Sequence, residues 1–127
     1  GARVRALAVA GAFHTHYMSS AVDPLRTLAS TMATHEPNLT ILSNKDGGVV
    51  TTGREVLDRI VSQIANPVRW DLCMQQLEKL GITGVIEVPP AGTLVGLIKR
   101  AAPSIQTFAL KTPDDLAAAR EFAAAHS

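Results

Sequence analysis

The stretch that most constrains the fold is "TGVIEV", Thr83 to Val88. Val85 and Ile86 are adjacent, so in a strand they point to opposite faces. A strand that wants apolar cover on both sides reads as part of a parallel sheet with helices packed over it. Parallel neighbours cannot be joined by a tight turn, so such a strand also demands a crossover segment and a second strand.

The flanking sequence supplies both. The loop Pro89-Pro90-Ala91-Gly92 leads to a short helix near Thr93 to Arg100, and "IQTFAL" follows as another strand. Upstream, a helix is predicted from about Trp70 to Leu80, with Gly81 as its left-handed cap. Downstream, Thr112 as cap and Pro113 at the first helical position launch an alanine-rich helix, and Asp114-Asp115 complements its dipole.

The first half repeats the alternation. Arg3 to Ala10 reads as a strand ended by Gly11. A helix follows between Ser20 and Thr34, with Leu25, Leu28, Ala29 and Met32 at helical spacing. Its start is open: Asp23-Pro24 could be cap and first residue, or the helix begins earlier and carries Pro24 in its first turn. "LTILS", Leu39 to Ser43, is a short strand, and "NKDGG" after it is turn chemistry. Thr52 and Glu55 form a T-x-x-E capping box. Val56, Leu57, Ile60, Val61 and Ile64 then line one helical face, which Asn66-Pro67 stops. Strands alternating with helices give an α/β class with a largely parallel sheet.

At 127 residues the chain fits one domain, able to bury roughly two-thirds of its unfolded surface. Its net charge of +1 and scattered Lys and Arg give no basic patch, so no nucleic-acid partner is expected. No apolar run approaches the roughly 20 residues of a membrane span, so no membrane partner is expected either. One cysteine, Cys73, fits a reducing compartment, and the expected location is cytoplasmic. Cys73 reads as a small core residue. The opening "GARVRAL" lacks methionine and is already strand-like at residue 4, which suggests a fragment or a processed piece.

The chemistry centres on "GAFHTHYM", Gly11 to Met18. His14 follows a strand end, where open α/β sheets place their sites, and a histidine there can serve as general base. It can equally be an ordinary loop histidine. His16 completes H-x-H, yet no third ligand lies nearby, so no metal and no cofactor are expected. His35 and His126 read as surface residues. No G-x-S-x-G and no glycine-rich phosphate loop occur. A base without a nucleophile completes no covalent catalysis.

"VAGAFHTHYM", "LSNKDG", "QIANPVRWDLCMQQLEKLGITGVIEVPPAGTLVGLIKR" and "ALKTPDDL" together resemble the C-terminal part of the malonyl-CoA:acyl-carrier-protein transacylase family, in its actinobacterial form. The resemblance implies a serine on a nucleophile elbow that attacks the malonyl thioester of malonyl-CoA. A histidine matching His14 takes its proton, and malonyl passes to the phosphopantetheine thiol of acyl carrier protein. It also implies that the backbone carbonyl of Gln63 orients His14, and that Phe13 selects malonyl over methylmalonyl, unless Phe13 is a core aromatic. The family's serine, its carboxylate-gripping arginine and its oxyanion glutamine have no counterpart here. They belong to an N-terminal half, the partner this chain would need to be active. The family's G-P-G is replaced by Pro90-Ala91-Gly92. By the same resemblance, residues 1–13 would end a ferredoxin-like small subdomain. Residues 14–127 would be the C-terminal part of a hydrolase-like parallel α/β subdomain. A competing reading is a non-catalytic module that docks or scaffolds carrier protein.

Overall fold

A computed structural model of the chain describes Val4 and residues 11–127. The strand expected over Arg3 to Ala10 lies outside the described residues. The chain divides into two compact units, Gly1–Arg69 and Trp70–Ser127. Its make-up is mixed α/β.

In the first unit a 3-10 stretch, His16–Ala21, runs into helix α1, Val22–Ser30. The earlier of the two possible starts is realised. Pro24 sits in the first turn, where a missing N–H costs no helical bond. Asp23 pairs with Arg26 at 2.6 Å instead of capping. The helix ends short of Thr34. The hydroxyls of Thr27, Ser30 and Thr31 donate to carbonyls three or four residues back, which competes with continued helix. Met32 is therefore outside the helix and exposed.

The strand read over Leu39 to Ser43 shortens to β1, Ile41–Leu42, and pairs with β2, Val49–Val50. The pairing is antiparallel, Ile41 opposite Val50, which corrects the largely parallel expectation for this half. The reason is local. The Ser43 N–H donates to the Gly48 carbonyl at 2.9 Å, the Gly47 N–H to the Ser43 carbonyl at 2.8 Å, and the Gly48 N–H to Asp46 Oδ1 at 2.9 Å. A loop closed this tightly can only return the chain antiparallel.

Helix α2, Gly53–Gln63, starts at the expected cap, where Thr52 accepts from the Glu55 N–H at 3.2 Å. The Glu55 carboxylate turns to Arg59, at 2.9 Å from Nε, and not back to the cap. Val61 and Ala29 of α1 are both buried and the two helices pack together, while Ile60 remains 56% exposed.

In the second unit α3, Trp70–Lys79, is closed by Gly81 at φ +69. The Gly81 N–H reaches the Glu78 carbonyl and the Ile82 N–H the Leu77 carbonyl, both at 3.0 Å. Strand β3, Gly84–Glu87, pairs in parallel with β4, Gln106–Ala109, Val85 opposite Thr107. Helix α4, Leu94–Ala101, is the crossover. Its buried Ile98, with Ala102 and Ile105, forms a core against Trp70, Met74, Leu77 and Val85. The both-faces burial expected of "TGVIEV" is only partial. Val85 and Ile86 are half-buried and Val88 is exposed, because among the described residues this sheet has two strands.

Helix α5, Leu116–Ala125, is entered through a 3-10 turn, Pro113–Asp115, closed by a Thr112–Asp115 capping box. His126, expected at the surface, is half-buried and has partners. Its Nδ1 lies 2.8 Å from Thr83 Oγ1 and its ring stacks on Phe122 at 4.5 Å. That ring sits so close to Gly84 that a Cβ there would lie 2.5 Å from it. Among the described residues no helix is long and apolar enough to cross a membrane.

Ile98 is fully buried, so Ile98→Ala should destabilise the chain by about 3 kcal/mol, in the range of core truncations. Urea unfolding of the two proteins measures this.

Candidate active site around His14

His14 has φ 63, a left-handed conformation uncommon outside glycine, although histidine adopts it more readily than most residues, as asparagine and aspartate do. For an L-residue it costs about 1–2 kcal/mol, so something must hold it. The C-terminal end of α2 does. The backbone N–H of His14 donates to the Ile64 carbonyl at 3.0 Å, and ring Nδ1 lies 2.7 Å from the Gln63 carbonyl oxygen. Helix ends leave their last carbonyls without helical donors, so both acceptors are on offer. Thr15 tightens the approach by donating to the Ala12 carbonyl at 2.6 Å.

The chemistry follows from the acceptor. A carbonyl can only accept, so Nδ1 carries the hydrogen, and the lone pair of the neutral ring is on Nε2. The ring is exposed, leaving it open to a reacting group.

Beside His14 is a cavity of about 330 Å³, with aliphatic walls from Ile41, Val50, Val56 and Ile60. Asn44, Arg59 and Gln63 also line it. Its size falls in the range of small-molecule sites.

The other sequence-derived candidates are placed as follows. Phe13 is half-exposed; its ring packs on Gly11 and does not line that cavity. His16 stacks on Tyr17 with ring centroids 4.1 Å apart. His35 is exposed, and Cys73 is buried in α3. Among the described residues no group of three or more His, Cys, Asp or Glu could hold a metal ion.

Two charged residues escaped the sequence reading. Arg59, its side chain only 20% exposed, joins Asp46 of the β1–β2 loop at 2.8 Å to Glu55 of α2 at 2.8 Å. Glu55, then Asp46, hold the guanidinium charged above its ordinary range. The Gly48 N–H, with Arg59 behind it, holds the Asp46 carboxyl below the usual one. The i,i+4 Glu55–Arg59 spacing was the readable half of this cluster.

Glu87 is the second. Although it closes a strand read as apolar, its carboxylate is buried and accepts from the N–H groups of Gly92, Leu94 and Val95 at 2.9, 3.0 and 3.0 Å. It thereby caps α4 and fixes the proline loop, whose Pro89–Pro90 peptide is cis. The Val95 and Leu94 N–H groups hold its carboxyl below the ordinary range, against the opposing effect of burial. A depressed carboxylate stabilises the fold above its ordinary pKa and loses that contribution as pH falls through the folded value. Glu87→Gln should therefore lower the thermal midpoint at neutral pH, with the gap to wild type narrowing in acid. Melting curves across pH 7 to 2 check this; an equal gap at every pH would contradict it.

No protein-family model matches the sequence. A malonyl CoA-acyl carrier protein transacylase of Mycobacterium tuberculosis is 49% identical over 115 residues, spanning 91% of this chain and 38% of that protein. The crystal structure of MCAT from Mycobacterium tuberculosis superposes with a TM-score of 0.82 at 48% identity, over 90% of this chain and 38% of that one. A malonyl-transacylase solved in complex with a type II polyketide-synthase acyl-carrier protein superposes at 0.83 and 26% identity, over 91% and 37%. The chain thus spans about two-fifths of the length of the curated relatives it matches. On both counts it matches part of a malonyl CoA-acyl carrier protein transacylase.

Proposed function

We propose that this chain supplies the general base of a malonyl-CoA:acyl-carrier-protein S-malonyltransferase, with the nucleophilic serine on polypeptide outside it. The observation that carries this reading is the 2.7 Å contact between His14 Nδ1 and the Gln63 carbonyl. A ring held there has one nitrogen committed and the other free for proton transfer, as a serine nucleophile requires.

The steps follow from that lone pair. Nε2 takes the serine proton as the oxygen attacks the malonyl thioester carbonyl. The carbon–sulfur bond breaks, and the imidazolium returns its proton to the departing CoA sulfur, leaving malonyl-serine. In the second half the phosphopantetheine thiol of acyl carrier protein gives its proton to Nε2 and its sulfur attacks the ester. The serine oxygen leaves and regains the proton. Gln63 orients throughout and exchanges no proton. Phe13, next in chain to His14, is the selectivity residue: a ring beside the acyl group leaves no room for an α-methyl.

The aliphatic exposure of Ile41 and Ile60 beside the cavity supports further polypeptide covering this face. In the same reading residues 1–13 close a ferredoxin-like subdomain, and 14–127 belong to a hydrolase-like one. The chain by itself is inactive.

The test combines this chain with a polypeptide bearing a G-H-S-x-G serine, adds malonyl-CoA, and follows a malonyl adduct on that partner by intact mass. His14→Ala should slow adduct formation by about 10²- to 10⁴-fold, the range of general-base catalysis. An unchanged rate would remove the base assignment and leave a carrier-docking module as the better reading. In the same system Phe13→Ser should move the malonyl to methylmalonyl preference by about 10-fold or more, as one methyl in a pocket allows. Competition between the two thioesters measures it, and a constant ratio would count against Phe13.

A further inference from the structure

We propose that Arg59 is a positioning residue, fastening the α2 turn that grips His14 to the β1–β2 loop and so fixing the tautomer and direction of the ring. This rests on the reading of His14 as the base.

The argument is one of bracketing. Gln63 and Ile64, which hold the histidine, lie between two ties to the same short loop. On one side Arg59 Nη1 reaches Asp46 Oδ1 at 2.8 Å; on the other, the Arg69 N–H donates to the Asn44 carbonyl at 2.7 Å. The segment from 59 to 69 is thereby anchored at both ends to residues 44–46. A helix C-terminus without such anchors frays, and its last carbonyls wander. Here the carbonyl that sets the ring belongs to the last residue of α2.

Arg59 differs from the other ion pairs of this unit. The Arg26–Asp23 side chains are 59% and 87% exposed, and those of Arg54–Asp58 are 48% and 55%. Pairs that open to water contribute little. Arg59 is 20% exposed, and with one planar fork it holds two carboxylates from different elements, Asp46 at 45% and Glu55 at 43% exposed. A lysine offers a single point charge and cannot reproduce that geometry. Arg59 also lines the cavity shared by His14 and Gln63, one helical turn from Gln63.

The experiment reads the ring itself. Two-bond nitrogen–proton NMR of the neutral imidazoles, on the full chain labelled with nitrogen-15, distinguishes Nδ1–H from Nε2–H. Wild type should show His14 as Nδ1–H. Arg59→Met should reduce that form to a minority. Asp46→Ala, which removes the oxygen that Arg59 reaches, should do the same if Arg59→Met fails to fold. Arg54→Met, which breaks the exposed Asp58 pair and the 3.4 Å bond to the Ala29 carbonyl of α1 but leaves the β1–β2 loop tied to α2, should leave His14 as in wild type. Retention of Nδ1–H in Arg59→Met, or in Asp46→Ala where Arg59→Met does not fold, overturns the proposal while leaving the base assignment intact. An equal loss in Arg54→Met overturns it as well, since general weakening of α2 would then suffice. A wild-type ring that is not Nδ1–H removes the base reading itself. None of these outcomes depends on malonyl transfer.

Discussion

The first unit is organised around a helix end that has carbonyls to spare. The C-terminus of α2 must place its last acceptors somewhere, and it places two of them on one residue, His14. The backbone bond to Ile64 helps offset the cost of a left-handed conformation, and the ring bond to Gln63 decides which nitrogen carries the hydrogen. A carboxylate in that position would orient the ring too, but it would add a second charge beside that of the malonyl thioester proposed as substrate. A neutral carbonyl orients without that repulsion.

The second unit meets a similar demand with the opposite polarity. The N-terminus of α4 presents donors, and Glu87 supplies both oxygens to them from the end of β3. A buried carboxylate is tolerated because backbone N–H groups replace its water. The proline loop between strand and helix is held by this contact more than by its own composition. In both units a chain terminus of secondary structure is completed by a residue distant in sequence or lying across a loop.

That pattern also explains what could be read in advance. Local signals were dependable where the partner is local: Thr52 over the start of α2, Gly81 at the end of α3, Thr112 and Pro113 before α5. The parallel pairing of β3 with β4 followed from adjacent apolar residues and an intervening helix. The β1–β2 hairpin was missed because two-residue strands leave almost no period to detect. Glu87 was missed because its donors, Gly92 of the loop and Leu94 and Val95 of the α4 N-terminus, are brought to it by a loop whose shape composition does not dictate. The Arg59–Asp46 tie is non-local and leaves no spacing to read, whereas the i,i+4 Glu55–Arg59 spacing was there and was not used. His126 read as a surface residue because Thr83 and Phe122, its partners, are brought to it by folding. The Gln63 carbonyl came into view through a family resemblance, since a backbone acceptor leaves no mark on residue type.

The account stands or falls on where Nε2 of His14 points once the remaining polypeptide of a transacylase is present. A crystal structure of that assembly, captured with the malonyl ester, measures it directly. The expected result is a serine Oγ within about 3 Å of Nε2, hydrogen-bond reach for proton transfer, with Nδ1 still on the Gln63 carbonyl. A ring turned away from every hydroxyl, or released from Gln63 and bonded elsewhere, would contradict the account.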